Sequence, residues 1–316
     1  MMLYTPGTRK YYPITRRAWL RSIGRCRGIR HQDLFSPMQE RPIDPRALEN
    51  CGANPMPPDA LASFDRIKAR LAGRQCALFL DYDGTLAPIM PRPELAVAST
   101  RIRSVVESLA ERIPVAIVSG RGLEDVMGML GLEGIAYAGS HGFEIRDAQG
   151  RDLAGGIGDV FLPVLARARV ALEERLAPVA GVHVEDKRYS IAIHYREADA
   201  ESHAGIAAQV AEEAARHGSL KRTGGKMIHE LRPDIAWDKG TTIMRVLEAI
   251  GLPHGTSVPV YIGDDETDED AFRAIADSGI GIRAGNPVQA TAAEFSLKDP
   301  EAVATFLERL DRSLAG

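Results

Sequence analysis

Short, continuous apolar runs alternate with amphipathic stretches in two parts of the 316-residue chain. A strand that is apolar at every position is buried on both faces, which is typical of a parallel sheet with helices on each side. The alternation therefore predicts an α/β core. Its predicted strands cover residues 76–80, 115–118, 135–138, 258–262 and 279–282, and its predicted helices cover residues 60–71, 99–113, 123–130, 241–250, 269–276 and 300–314.

The pattern changes between residues 144 and 233. Apolar strands are predicted in pairs over residues 182–186, 190–196, 220–222 and 226–231, with helices over 160–176 and 200–216. Paired strands packed by helices indicate a separate α+β layer. We therefore predict a Rossmann-like parallel sheet core with helices on both faces, formed by residues 60–143 and 234–316, and an inserted α+β domain at residues 144–233.

The first 59 residues differ from the rest in composition. Residues 1–32 contain no acidic side chain but carry eight basic ones, and prolines at 42, 45, 55, 57 and 58 follow. An Arg-rich, acid-poor beginning suits an organelle transit peptide, a nucleic-acid arm, a disordered tail, or translation from a start upstream of Met38. The absence of apolar periodicity favours a disordered Arg-rich tail with a Pro-rich linker over residues 1–59.

Composition excludes several classes of protein. The net charge of −4 argues against a general nucleic-acid binder. No apolar run approaches the roughly 20 residues that cross a bilayer, so no membrane association is expected. Cys26, Cys51 and Cys76 are far apart and lack paired-ligand spacing, which disfavours a disulfide framework or a zinc site. We expect a monomeric, cytoplasmic protein with 45% hydrophobic residues, as in ordinary globular chains.

Two aspartates follow the first predicted strand of the core. Side chains alternate along a strand, so Asp81 and Asp83 leave its carboxyl end on the same side. Two like charges there are unfavourable unless a cation or a reaction uses them. Ser119, Lys239 and Asp264 also lie at predicted strand ends or a helix start, where ligands bind in parallel sheets.

Each of these signals has an ordinary structural explanation by itself. An Asp-x-Asp pair is common in turns, and the acidic run 264–270 suits the first turn of a helix. Their joint occurrence at strand ends favours a site. Oxygen ligands suit Mg²⁺, and a carboxylate can attack phosphorus, so Asp81 is the predicted nucleophile and Asp83 the predicted general acid and base.

The four signals resemble the motifs of the haloacid dehalogenase-like phosphatase superfamily. The resemblance implies that Ser119 binds phosphate, that Lys239 steadies the nucleophile and the phosphoryl group, and that the inserted domain is a cap over the core. It also implies a Mg²⁺ site, whose predicted ligands are the carboxylate of Asp81, the backbone carbonyl of Asp83 and the carboxylate of Asp264, with Asp265 and Asp268 as further acids of the site.

Polar residues of the inserted domain, together with "GSHGFE" at residues 139–144, resemble the trehalose-6-phosphate phosphatases. Carboxylates and amines suit a sugar because each can pair with two or more hydroxyls. The resemblance implies Mg²⁺-dependent hydrolysis of trehalose 6-phosphate, the last step of trehalose biosynthesis, with a trehalose-phosphate synthase as a candidate partner. The predicted substrate-binding residues are Arg121, Gly139, His141, Gly142, Glu185, Lys187, Ser190 and Glu230.

Two other functions stay open at this point. One is a different sugar-phosphate phosphatase of the same superfamily. The other is a catalytically silent domain that only binds a sugar phosphate or a synthase. The presence of Asp81, Asp83, Lys239 and Asp264 argues against silence, because unused charges of this kind are unfavourable.

Overall fold

A seven-stranded sheet forms the centre of the larger part of the molecule. The computed structural model describes residues 57–90, 92–225, 227–252, 257–285 and 290–315. Its strands are β1 (Gln75–Leu80), β2 (Val115–Val118), β3 (Ala136–Gly139), β4 (Glu144–Arg146), β9 (Ser257–Gly263), β10 (Ile280–Ala284) and β11 (Phe295–Leu297). The strand order is β11-β10-β9-β1-β2-β3-β4, and all neighbours are parallel except β3 and β4.

Helices cover both faces of this sheet because its strands are apolar at successive positions. In β1, Leu78 and Leu80 contribute to one apolar cluster, and Ala77 and Phe79 contribute to another. One face packs against α1 (Phe64–Leu71), α2 (Thr100–Ala110), α3 (Leu123–Leu130) and α8 (Pro300–Ala315), and the other packs against α6 (Lys239–Ala249) and α7 (Asp268–Ile275). The predicted α/β class with a parallel core is confirmed.

A second, four-stranded antiparallel sheet occupies the middle of the chain. The elements of this part are α4 (Leu162–Leu176), β5 (His183–Asp186), β6 (Ile191–His194), α5 (His203–His217), β7 (Leu220–Gly225) and β8 (Ile228–Pro233). The strand order is β5-β6-β8-β7, and one face of the sheet forms a third apolar cluster with the two helices. Side chains alternate along a strand, so the opposite face carries polar residues.

Two structural details lie next to the predicted domain boundaries. Residues 144–146, at the beginning of the predicted inserted domain, form β4, in which Ile145 pairs with Ala138 of the large sheet. Residues 57–59 are bound to β11, because Ser296 donates to the carbonyls of Pro57 and Pro58 and pairs with Asp59. The rest of the predicted N-terminal tail and linker lies outside the described residues.

Short 3₁₀ turns connect several elements, over residues 93–95, 140–142, 159–161 and 200–202. Within the described part of the chain, none of the helices combines the length and the apolar character needed to span a bilayer.

Candidate active site

Asp81 lies directly after β1, the strand at which the order of the large sheet reverses. The chain passes from β1 to β2 on one side, whereas β9 pairs with β1 on the other. Ligands of open α/β sheets bind at such a switch point, beyond the carboxyl ends of the strands. Asp81 is 4% exposed, and its Oδ1 accepts a hydrogen bond from Lys239 Nζ at 2.8 Å.

Lys239 stands in the first turn of α6, where a positive charge opposes the helix dipole. Two carboxylates compensate for this position, because its ammonium donates to Asp81 and, at 2.6 Å, to Oδ1 of Asp268. Tyr261 of β9 donates its hydroxyl to the same oxygen of Asp268. The lysine is therefore a buried cation, fixed from two sides and directed at Asp81.

Three carboxylates meet where β1 and β9 end. Oxygens of Asp81, Asp264 and Asp268 lie within 4.8 Å of one another, close enough to hold one metal ion. Gly84, with φ of +79°, permits this approach, since a Cβ at that position would lie 2.0 Å from Oδ2 of Asp264. Asp265 is nearby, with Oδ1 3.9 Å from the lysine ammonium. An all-oxygen donor set of this kind suits a hard divalent cation.

The electrostatics of these acids also fit a cation. Burial raises the pKa of Asp81 well above its usual range, and the charges of Asp268 and Asp264 raise it further, although Lys239 opposes them. Burial, with the charges of Asp268 and Asp265, likewise raises the pKa of Asp264 to about 7. A bound cation would offset this repulsion, as bound ions commonly dominate the charge balance of a site.

Ser119 directly follows β2 and is buried at the edge of the same site. Its Oγ accepts a hydrogen bond from the backbone N–H of Arg121 at 3.1 Å, and its carbonyl accepts one from His141 N–H at 3.0 Å. In the loop after β3, three successive residues have positive φ: Ser140, His141 and Gly142. A Cβ at Gly142 would lie 1.8 Å from Thr242 Oγ1, so the close packing of this loop requires glycine there.

The carboxylate of Asp83 forms an ion pair with Arg121. Oδ1 and Oδ2 of Asp83 each accept a hydrogen bond at 2.7 Å, from Nη2 and Nε of Arg121. The two aspartates that follow β1 are therefore paired with different basic residues, Asp81 with Lys239 and Asp83 with Arg121. This separation offsets the repulsion expected between carboxylates so close in sequence.

A cleft of about 810 Å³ lies between the ends of the large sheet and the polar face of the small sheet. From the small sheet, Glu185, Lys187 and His194 line it, and Glu185 Oε2 lies 2.7 Å from His194 Nε2. The hydrogen bond with His194 and the charge of Lys187 lower the pKa of Glu185 against the effect of its burial. The lining contributed by the large sheet and its loops includes Asp81, Asp83, Ser119, Arg121, His141, Lys239 and Asp265.

Glu230 of β8 is mostly buried where the two sheets meet. Its Oε1 accepts from Ser190 Oγ at 2.6 Å, and its Oε2 lies 3.2 Å from His141 Nε2. Burial alone would raise its pKa, but the charges of His141 and Lys187 and the hydrogen bonds from His141 and Ser190 lower that pKa to about 2. The carboxylate therefore stays ionised and connects the small sheet to the loop beside Ser119.

Comparison of the sequence with known proteins identifies a family for this chain. A family model described as Trehalose-phosphatase matches residues 79–301. A trehalose-phosphate phosphatase of Mycobacterium tuberculosis is 42% identical over 263 residues, which cover 81% of this chain and 66% of the relative. The chain belongs to the trehalose-phosphatase family. It spans about two thirds of the length of these curated relatives. A trehalose-phosphate phosphatase of Mycobacterium marinum is 41% identical over 262 residues, which cover 82% of this chain and 67% of the relative.

Membership of the trehalose-phosphatase family agrees with the structural comparison. The crystal structure of a trehalose-6-phosphate phosphatase related protein aligns with a TM-score of 0.66 at 29% identity, covering 75% of this chain and 97% of that chain. The family predicted from the four motifs and the "GSHGFE" segment is therefore confirmed.

The residues proposed from the sequence fall into two groups in this family member. Most of the predicted set lies around one cleft, on both sheets. Gly139 is packed instead, since a Cβ there would lie 2.4 Å from the backbone nitrogen of Leu123. Arg121 and Glu230, also predicted to bind substrate, are hydrogen-bonded to protein groups in this structure.

Gly84, Tyr261 and His194 contact residues of the site but are not among the predicted site residues. Gly84 belongs to the same motif as the Asp-x-Asp pair, and a glycine allows a close backbone approach. Tyr261 sits within an apolar strand, where nothing in the pattern distinguishes it from a core residue. His194 lies in a predicted strand of the inserted domain, but its contact with Glu185 follows only from the pairing of β5 with β6.

Proposed function

We propose that this chain hydrolyses trehalose 6-phosphate to trehalose and phosphate, through a phosphoryl group carried on Asp81. The observation that carries the proposal is the Lys239–Asp81 pair at the switch point of the sheet, which lines one cleft of about 810 Å³ together with Ser119. The family membership supports the substrate, since the matched relatives are named trehalose-phosphate phosphatases.

The proposed first step forms a bond between a carboxylate oxygen of Asp81 and phosphorus and breaks the bond from phosphorus to the sugar oxygen. Asp83 donates a proton to that departing oxygen. In the second step Asp83 takes a proton from a water molecule, which attacks phosphorus and releases Asp81. Lys239 and Ser119 hold the phosphoryl oxygens, and Lys239 also keeps Asp81 oriented.

The proposed cofactor is Mg²⁺. The carboxylates of Asp81 and Asp264 and the backbone carbonyl of Asp83 would hold it, with Asp265 beside them. Asp268 is already bound to Lys239, Tyr261 and the N–H of Asp265, so it supports the site rather than serving as a ligand. When bound, the cation supplies positive charge that stabilises the phosphoryl oxygens.

We further propose that residues 60–146 and 234–316 act as the catalytic core and residues 147–233 act as the cap. Glu185 and Lys187 are suited to bind the hydroxyls of the distal glucose because both line the cleft opposite the phosphate site. Closing the cap would exclude water and complete the site only when a sugar fills it. A trehalose-phosphate synthase stays a candidate partner.

The decisive experiment measures phosphate release from a panel of sugar phosphates, with and without Mg²⁺. We expect trehalose 6-phosphate to be the preferred substrate and turnover to require the metal. Preference for sucrose 6-phosphate or another sugar phosphate would support the alternative phosphatase. Binding of sugar phosphate without phosphate release from any of them would establish a silent binding domain.

A further inference from the structure

Arg121 was predicted to bind substrate, yet its guanidinium is fully used by the protein. An arginine side chain has five N–H donors. Nε and one Nη2 hydrogen go to Asp83, and the other Nη2 hydrogen goes to the carbonyl of Pro93 at 2.7 Å. The Nη1 group donates to Asp125 Oδ2 and to Met129 Sδ, each at 3.0 Å. In this arrangement no donor is left for a phosphate or a sugar.

The surroundings of Arg121 make it a rigid support. Its side chain is only 9% exposed, and the guanidinium carbon lies 5.5 Å from the centroid of the Tyr82 ring. Asp125 and Met129 belong to α3, Pro93 begins the turn at 93–95, and Asp83 follows β1, so three segments of the core hold the group. Its backbone N–H also binds Ser119 Oγ, which links it to the predicted phosphate site.

Asp83, by contrast, would be poorly fixed without this partner. Its side chain is 41% exposed in the cleft and follows β1 in a turn closed by Gly84 N–H and the carbonyl of Ala87. A proton can pass to a leaving oxygen only when the two oxygens are about 2.6–3.2 Å apart. Two parallel N–H···O bonds from a planar guanidinium fix the orientation of a carboxylate, which a single contact would not do.

We infer that Arg121 is a positioning residue for Asp83 rather than a ligand of the substrate. It holds the plane of the Asp83 carboxyl over the cleft, so that an oxygen can face the departing sugar oxygen. The inference rests on the proposed phosphatase function, and it concerns the acid–base step alone. Attack by Asp81 depends on a separate cation, Lys239.

The dependence on the leaving group tests this role. 2,4-Dinitrophenolate departs without needing a proton, whereas the sugar alkoxide needs one. In rapid-mixing experiments at saturating substrate and Mg²⁺, the first-turnover release of trehalose from trehalose 6-phosphate should fall on the order of 10²-fold in Arg121→Met. First-turnover release of 2,4-dinitrophenolate from its phosphate ester should change little, and KM for trehalose 6-phosphate should stay near that of the parent.

Two further variants separate positioning from a structural role. Arg121→Lys keeps the charge but cannot form the two-pronged pair, so it should recover only part of the lost rate. The double variant of Arg121→Met with Asp83→Asn should be no slower than Asp83→Asn alone, because Arg121 acts through Asp83. Arg146→Met is the matched control, since Arg146 pairs with Glu124 on the same helix α3 but outside the cleft.

The outcomes are distinct. Equal losses with both substrates, an additive double variant, or a raised KM with an unchanged first-turnover rate would each overturn the positioning role. Thermal unfolding measured on every variant identifies loss of the fold, and Arg121→Lys carries the test if Arg121→Met is unfolded. If the parent protein releases neither leaving group, the proposed function fails, and this inference fails with it.

Discussion

Glu230 of the small sheet and His141 of the large-sheet loop approach to 3.2 Å between Oε2 and Nε2. The other oxygen of Glu230 binds Ser190. Strand β4 makes a second connection, because Glu144 Oε1 accepts a hydrogen bond at 3.3 Å from Nη1 of Arg188, which lies in the turn between β5 and β6. The inserted part thus contacts the core next to Ser119, whose carbonyl accepts the N–H of His141. The proposed cap is therefore connected to the proposed phosphate site through His141.

This pair makes stability depend on pH. The pKa of Glu230 is lowered from 4.5 to about 2. A lowered carboxyl pKa contributes stability that is complete above the unfolded value and is lost as pH falls through the folded value. Between about pH 5 and pH 2 the parent should therefore lose roughly 3 kcal/mol more unfolding free energy than Glu230→Gln. Urea unfolding across this range measures the difference, with the exposed Glu201→Gln as control; parallel curves for parent and Glu230→Gln would contradict it.

Replacement of the proposed nucleophile should abolish turnover. Asp81→Asn keeps the size of the side chain and a hydrogen-bond acceptor for Lys239, but an amide cannot form the phosphoryl intermediate. Phosphate release should fall to background while the far-ultraviolet circular dichroism stays unchanged, and fluoride complexes of beryllium should inhibit the parent. Asp277→Asn, an exposed change outside the cleft, is the control. Near-normal turnover of Asp81→Asn would refute the assignment.

The Mg²⁺ concentration needed for activity should depend on Gly84 as well as on Asp264. Chelation should remove activity and Mg²⁺ should restore it. Gly84→Ala forces a Cβ to within 2.0 Å of Asp264 Oδ2, so the variant should need more Mg²⁺ for half-maximal activity, as should Asp264→Ala. Gly73→Ala is the matched control, because Gly73 has a similar φ of +70° and nothing within 4 Å of the added Cβ. If both glycine variants shift the Mg²⁺ requirement equally, backbone strain rather than the collision is responsible.

Glu185 should determine specificity without affecting the chemistry. It lines the cleft from the small sheet. Among the described residues, its side chain is hydrogen-bonded to His194, through Oε2. Glu185→Ala should lower kcat/KM for trehalose 6-phosphate roughly 5- to 150-fold, which corresponds to about 1–3 kcal/mol of activation free energy, since sugar hydroxyls would lose a partner. p-Nitrophenyl phosphate, which has no sugar, should be hydrolysed as by the parent and by Glu201→Ala. A similar loss with both substrates would place Glu185 in the fold or in the chemistry.

Much of the architecture could be read from the sequence because burial imposes it locally. A strand between two helical layers must be apolar on both faces, and this pattern is visible residue by residue in β1, β2 and β9. The strands β4 and β11 were missed for a physical reason. Each is three residues long, and β4 alternates polar and apolar residues, so its stability comes from its pairing with β3.

The family, the parallel core and the common location of Asp81, Ser119, Lys239 and Asp264 follow from the order of residues along the chain, since ligands of a parallel sheet bind at the edge where the carboxyl ends of its strands meet. The pairing of the charges, by contrast, depends on the folded molecule. Lys239 binds Asp81, which is 158 residues away in the sequence, and Arg121 binds Asp83, which is 38 residues away. Glu230 binds both His141 and Ser190. A charged side chain selects its partner by distance and desolvation, and neither can be read from its place along the chain.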